Sequence, residues 1–505
     1  MLINIKENLL TENVVKKMTV IKDLQHCIAL LGWDQETKMP IGSWEARADQ
    51  ICTLEEISHK ILTDDDSKRL VDKIKNNKCD KSSLQNRLLC LYVKDYEKAS
   101  KLNNDFIIRY SKAKSQSLES WRNAKKHNNF NFFENDFTTL IELTIEKAEL
   151  LGCTRNKYDA LLDEFEEGMT YNKLLLIFEN IELKTKKLTS QIAKSHNKIK
   201  SINPKLEFYE KVQFKFAKKI AKKLAFDFQK GRLDKSIHPF TTSFSQKDVR
   251  ITTRIDKNNI FSCLYGTIHE VGHGLYEQGI DLSLYRTFAS DATSLGIHES
   301  QSLIWENIIC RTQEFWEWVM PELKNHFHNE LKGYDEKDMY EMVNKVENSF
   351  IRTESDELTY NLHILIRTDI ENKLINRKIK AKDLPDIWNE LYKKHLGLIP
   401  KNDNIGCLQD IHWAAGMFGY FPTYTLGKLY SSTIWEEMNI QIPHLKSIIK
   451  EGEFFIIRKW LKENIHTFGR LKSPEEIIFD ICGKSLNTED FFSYLEKKLK
   501  HVYEI

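Results

Sequence analysis

In the run His269-Glu270-Val271-Gly272-His273, two imidazoles stand one helical turn apart with a carboxylate between them. On a helix the i, i+4 spacing stacks both histidines on one face, so both rings can reach one ion at about 2.0–2.1 Å. Glu270 lies about 100° round the helix from His269, poorly placed to share that ion but well placed to hold a water bound to it. Such a set performs metal-assisted hydrolysis: the ion lowers the pKa of its water toward ~7 and polarises a carbonyl, and the carboxylate moves the proton. A polar helix whose histidines only hydrogen-bond would show the same five residues.

A catalytic zinc commonly takes two histidines and one glutamate and leaves its fourth position to water. The segment from Asp291 to Ile309 has helical apolar spacing at Leu295, Leu303 and Ile304 and carries Glu299, 26 residues beyond His273. That interval suits a helix, a loop and an antiparallel return. Spacing alone does not separate Glu299 from Glu277, Asp281, Asp291 and Glu306, which are otherwise expected to be solvated charges or partners of the ligands.

Five separated blocks together carry a resemblance. They are Asp248-Val249-Arg250-Ile251-Thr252, the His269–His273 run, His298-Glu299-Ser300-Gln301, Ile351-Arg352-Thr353-Glu354-Ser355-Asp356, and Gly406-Cys407-Leu408-Gln409-Asp410-Ile411-His412-Trp413. The sequence resembles the Taq-type metallocarboxypeptidases, with Ser355 where that family usually has alanine. Leu31–Thr37, Gly231–Asp234, His238-Pro239-Phe240 and Gly419–Tyr424 extend the likeness over almost the whole chain. By matching position it implies His269, His273 and Glu299 as metal ligands and Glu270 as the catalytic carboxylate. It also implies a mainly helical, two-lobed body with a deep central groove, similar to neurolysin and angiotensin-converting enzyme, and commonly a homodimer.

Two further needs of peptide hydrolysis select more residues. The oxyanion that develops on the attacked carbonyl requires a donor besides the metal, and His412, Tyr420 and Tyr424 offer one, in an order like that of angiotensin-converting enzyme. Each could equally be a buried, satisfied side chain. His238 is a similar candidate. Cutting one residue from a C-terminus requires a cation for the terminal carboxylate, best a planar guanidinium. Arg352 comes first, with Asp356 at i+4 to orient it, and Arg250 second. In Asp248–Thr253 polar and apolar residues alternate, so Asp248, Arg250 and Thr252 share one face of a short strand. We expect this to be an edge strand beside the metal, able to take up an extended peptide.

The elements that must position these groups are helices. Nine prolines and 19 glycines in 505 residues leave no proline between positions 41 and 203, which favours long helices, and Leu174, Ile177, Phe178, Ile181, Leu188 and Ile192 follow the 3.6-residue period. The length exceeds one typical core. With no repeat and no Gly/Ser/Pro-rich linker, we expect a single catalytic domain over residues 1–505, made of two interwoven helical lobes.

The 75 basic and 73 acidic residues nearly cancel and leave no nucleic-acid footprint. The run Lys218–Lys223 reads as the solvated face of an amphipathic helix. The N-terminus, Met1–Glu7, is too broken by polar residues for a secretory signal, and no segment approaches a membrane span. Nine cysteines without close pairing read as reduced thiols of a cytoplasmic protein. The reading is a cytoplasmic carboxypeptidase with one divalent ion per chain, Zn2+ or Co2+, acting on peptides with a free C-terminus. A neurolysin-like oligopeptidase that cuts internally and an inactive helical peptide-binding protein are the alternatives.

Overall fold

The computed structural model describes residues 9–76, 83–152 and 155–505; the N-terminal run Met1–Glu7 lies outside them. The proline-free stretch carries the helices Trp44–Thr63, Asp65–Asn76, Leu84–Ser100, Asn104–His127, Asn131–Leu151 and Tyr171–Ile192. On the last of these Leu174, Phe178, Ile181, Leu188 and Ile192 are buried. Each such side chain contributes roughly 1.5–3 kcal/mol when taken out of water, so this stripe holds the helix in place. Along Glu210–Lys223, Lys218, Lys219, Lys222 and Lys223 are exposed while Ile220 and Ala221 are buried, as expected of a solvated helix face.

The chain forms two compact units, each assembled from three stretches distant in sequence. The first comprises Met1–Ser100, Ile199–Val343 and Tyr430–Ser485, and the second Lys101–Lys198, Asn344–Leu429 and Leu486–Ile505. The first unit contains a small sheet of β1 (Gly231–Lys235), β2 (Thr241–Ser245) and β3 (Asp248–Thr253), ordered β1-β3-β2. β1 runs parallel to β3 and β2 antiparallel to it. The alternation in β3 is as read from the sequence over its first four residues, with Val249 and Ile251 fully buried and Asp248 and Arg250 partly exposed, but Thr252, expected on the open face, is fully buried. The strand's expected place at the edge is not found. β3 is the central strand, its backbone taken up on both sides, and the edges are β1 and β2. Alternation fixes the two faces of a strand but not its hydrogen-bonded neighbours.

Two helices of this unit follow the sheet. Ile260–Gly279 starts at Asn259, whose side chain accepts from the N–H groups of Phe261 and Ser262, and Leu295–Leu303 starts at Ser294, which accepts from Ile297 N–H. The second continues through a wide π turn, Ile304–Ile309. Cys27, Cys52, Cys263, Cys310, Cys407 and Cys482 are free thiols. Cys90 is disulfide-bonded, which departs from the expectation of reduced thiols throughout. Among the described residues no helix is long and apolar enough to cross a membrane.

Candidate metal centre

His269, Glu270 and His273 all lie on the Ile260–Gly279 helix, and Glu299 reaches them from Leu295–Leu303. The His269 and His273 Nε2 atoms are 3.2 Å apart. Glu299 Oε2 lies 3.6 Å from the His273 nitrogen and 4.0 Å from that of His269. Ligands of a tetrahedral zinc, each about 2.0–2.2 Å from the ion, are separated by about 3.3–3.5 Å, so the donor set fits a small divalent cation. The two helices come close because residue 272 is glycine. A Cβ there would strike the Gln301 carbonyl and sit 2.5 Å from Ser302 Cα.

The outward ring nitrogens are held as well. His269 Nδ1 lies 2.8 Å from Glu306 Oε2, and Glu306 Oε1 accepts from Arg311 Nη2 at 3.1 Å. His273 Nδ1 lies 3.1 Å from the carbonyl oxygen of His298. Such partners fix ring orientation and leave both Nε2 atoms facing one point. Glu306 is seven residues beyond Glu299, two turns along the same face, and the π turn carries it. The other carboxylates have separate partners: Glu277 with His298 Nε2 at 3.0 Å, Asp281 with Ser283 N–H at 2.7 Å, and Asp291 with Lys22 Nζ at 2.6 Å.

Glu270 is 5% exposed, and Thr241 Oγ1, on edge strand β2, lies 2.7 Å from its Oε2. Burial raises its pKa above the ordinary carboxylate range. Burial alone would lower His269, but the carboxylates of Glu299, Glu306 and Glu270 outweigh it and bring the imidazole up to about 10. His273 goes the other way, well down, through burial and then the neighbouring His298 and His269. The cluster is thus a concentration of negative charge around two nitrogens, suited to a cation.

Three other expected residues lie in this unit. Arg250 Nε and Nη2 bond Asp248 at 3.0 Å each, and the guanidinium sits over the rings of Trp33 and Phe244 at 4.5 and 4.8 Å. His238 is exposed in the β1–β2 loop, its carbonyl accepting from Ser236 Oγ at 2.6 Å.

The remaining four form a partly buried network in the second unit. Arg352 does not pair with Asp356. Its Nε and Nη2 bond Asp410 Oδ1 at 3.0 and 2.8 Å, and Nη1 bonds Tyr360 OH at 2.6 Å. The i+4 pairing fails because Arg352–Glu354 is a single 3-10 turn, and Asp356 instead accepts the backbone N–H groups of Leu358 and Thr359. Arg367 Nε bonds the other Asp410 oxygen at 2.7 Å. Burial would raise Asp410, but Arg352 and Arg367 hold it far below the usual carboxylate range. His412 Nε2 lies 3.1 Å from Tyr424 OH, and burial, followed by the charge of Arg352, lowers its pKa to about 3. The Tyr420 ring centre is 5.3 Å from that of His412 and 5.4 Å from that of Tyr424.

Sequence reasoning missed Thr241, Asp410, Arg367 and Glu371. Glu371 is fully buried and accepts from Tyr158 OH at 2.6 Å, Trp413 Nε1 at 2.7 Å and Gly419 N–H at 2.9 Å. Gly419 has φ +91°, and a Cβ there would meet the Leu161 carbonyl oxygen at 2.7 Å. Asp410 stood inside one of the resembling blocks, but no local signal marked the other three.

Residues 13–499 match the sequence model of a family described as carboxypeptidase Taq (M32) metallopeptidase. Carboxypeptidase 1 of Bacillus subtilis is 36% identical over 491 residues, covering 96% of this chain and 97% of its own. Thermostable carboxypeptidase 1 of Thermus thermophilus is 34% identical over 94% of this chain and 95% of its own. The crystal structure of the M32 carboxypeptidase from Deinococcus radiodurans superimposes with a TM-score of 0.93 at 31% identity, over 99% of this chain and all of that one. With a histidine pair and glutamate that fit a divalent ion, and with likeness along nearly its full length, the chain belongs to the M32 family of metallocarboxypeptidases.

Proposed function

We propose that the protein is a zinc-dependent carboxypeptidase of the HExxH type, with His269, His273 and Glu299 holding the ion and Glu270 as general base and acid. The observation that carries this reading is the convergence of the three ligand atoms, all within 4.8 Å of one another, beside a buried carboxylate tethered by a hydroxyl. A bound ion of this kind acidifies a water and polarises the scissile carbonyl. Glu270 takes the proton of the attacking water and passes it to the departing amine. Thr241 occupies Oε2 and so leaves Oε1 for that transfer. Zinc is preferred because two histidines and a glutamate are its common catalytic set, although cobalt accepts the same donors.

His412 and Tyr420 are taken as donors to the developing oxyanion, and Tyr424 and His238 as substrate contacts. Arg352, held rigid by Asp410 and Tyr360, is the first candidate to bind the terminal carboxylate of the peptide, and Arg250 with Asp248 the second. A cytoplasmic location rests on the six free thiols among the described residues, and a homodimer on family likeness. Light scattering reads the latter.

The test is a defined peptide incubated with the metal-loaded protein and followed by mass spectrometry. Stepwise loss from the C-terminal end supports the reading, and internal fragments overturn it. A peptide ending in an amide should be cut about 10–150-fold less efficiently, the value of a charge-assisted hydrogen bond. Arg352→Lys keeps the charge but not the planar fork and should narrow that gap. Glu299→Ala should purify poor in metal, and full metal binding by that variant would remove Glu299 from the ligand set.

A further inference from the structure

A cavity of about 280 Å³ opens beside the metal centre within the first unit. Two of its walls belong to the site already described. His298 lines it and stacks on the ligand His273, ring centres 4.4 Å apart, and Thr241, which bonds Glu270, lines it from β2. Lys22, from the Leu9–Thr37 helix, and Gln246, from the β2–β3 turn, close the floor.

The floor offers more donors than the protein uses. Lys22 is 4% exposed, and among the described residues its ammonium has one acceptor, Asp291 Oδ1 at 2.6 Å. An ammonium carries three N–H groups. Gln246 is likewise 4% exposed, and its buried Nε2 has no hydrogen-bond partner among the described residues. Leaving such donors unmet costs about 1–3 kcal/mol each. Acceptors line it too: the Asp291 side chain keeps 46% of its surface open, and Thr242 and Ser243 also belong to the lining. Lys22 is already paired with Asp291, and Glu277 lies 3.0 Å from His298 Nε2, so the lining's charges face one another and Lys22 is not free to answer a carboxylate guest. The buried ammonium disfavours a cation. An uncharged group with both a carbonyl and an N–H meets both demands.

We propose that this cavity is a selectivity pocket for a carboxamide side chain, asparagine or glutamine, on a substrate residue adjoining the scissile bond. This rests on the carboxypeptidase reading of the neighbouring metal centre. The guest's carbonyl accepts from Lys22 and Gln246, and its NH2 donates to Asp291 or a hydroxyl.

Two peptide series, varied at the last and at the penultimate residue through Gln, Asn, Leu, Glu and Lys, are assayed with the metal-loaded enzyme. At one position glutamine or asparagine should exceed leucine by at least about tenfold in kcat/KM, the low end for a hydrogen bond to a charged group. Gln246→Leu removes an unsatisfied donor at little cost to the fold, yet it should cut that preference to about twofold, and Lys22→Met should do the same. Equilibrium binding to the slow Glu270→Gln variant should show the same ratio of Kd values without turnover. A leucine, glutamate or lysine preference at both positions overturns the proposal, as does an amide preference that Gln246→Leu leaves intact. No C-terminal release from any peptide would instead overturn the carboxypeptidase reading itself.

Discussion

His269 and His412 are both half-buried imidazoles, and their surroundings drive them to opposite ends of the titration range. Around His269 the nearest charges are the carboxylates of Glu299, Glu306 and Glu270, and its pKa rises to about 10. Around His412 burial and the guanidinium of Arg352 bring it down to about 3. The first environment welcomes positive charge, as a metal site needs; the second disfavours it and keeps the ring neutral. The second region is also the more closed in its charges. Asp410 answers Arg352 and Arg367 from within, whereas around the histidine pair three carboxylates, Glu299, Glu306 and Glu270, gather and Arg311 bonds Glu306.

The contrast breaks most sharply at Glu270. Glu270→Gln should lower kcat by about 10²–10⁴ while metal content, measured on the purified protein, stays at wild-type level. A variant that also loses the metal would mean that Glu270 belongs to the ligand set.

In the second region the largest effect should be on stability. Asp410→Asn leaves two buried guanidinium groups without their counter-charge and should cost about 3–5 kcal/mol, read by denaturant unfolding. A cost below about 1 kcal/mol would show that the two arginines find other partners.

Glu371 sharpens the comparison through pH. Burial lifts its pKa from 4.5 to about 7, so the folded chain binds this proton more tightly than the unfolded chain does. Its contribution to stability is therefore fully present below 4.5 and lost as the pH rises through about 7. At ~1.4 kcal/mol per pH unit this amounts to about 3 kcal/mol. Glu371→Gln should flatten the fall in stability over that interval, and an unchanged slope would assign the titration to another group.

The smallest effect should come from Glu306. Glu306→Gln keeps a hydrogen-bond acceptor for His269 Nδ1 but removes one negative charge, and metal affinity should fall by about 10–100-fold. Competition with a chelator measures it.

What the sequence revealed follows the range of each interaction. His269, Glu270 and His273 were legible because their relation is local, one turn of one helix. The stripe from Leu174 to Ile192 was legible for the same reason. Glu299 needed a second helix to return, and spacing left it level with Glu306 and Glu277 until the folded chain separated a ligand from a ligand's partner. The faces of β3 could be read from alternation over its first four residues, but its central place is decided by β1, which arrives from residues 231–235. Arg352 was rightly marked as a residue with a carboxylate partner, yet the partner is Asp410, 58 positions on. An i+4 rule holds only where the chain stays helical, and here it does not. Thr241 and Glu371 carry no local signal, because a threonine in a strand and a glutamate in a helix are ordinary until tertiary packing gives them something to hold.

Gly272 makes the spacing of the metal ligands a property of main chain against main chain. Where a side chain separates two helices, a rotamer change can absorb small errors. Here the Ile260–Gly279 helix rests directly on Gln301 and Ser302, like the jaws of a caliper closed to a stop. The gap between His273 and Glu299 is therefore gauged by incompressible backbone, and only the side-chain torsions remain to accommodate one ion radius rather than another. Adding a single methyl group at position 272 would reset the gauge and favour a larger ion with longer bonds over a small tetrahedral one.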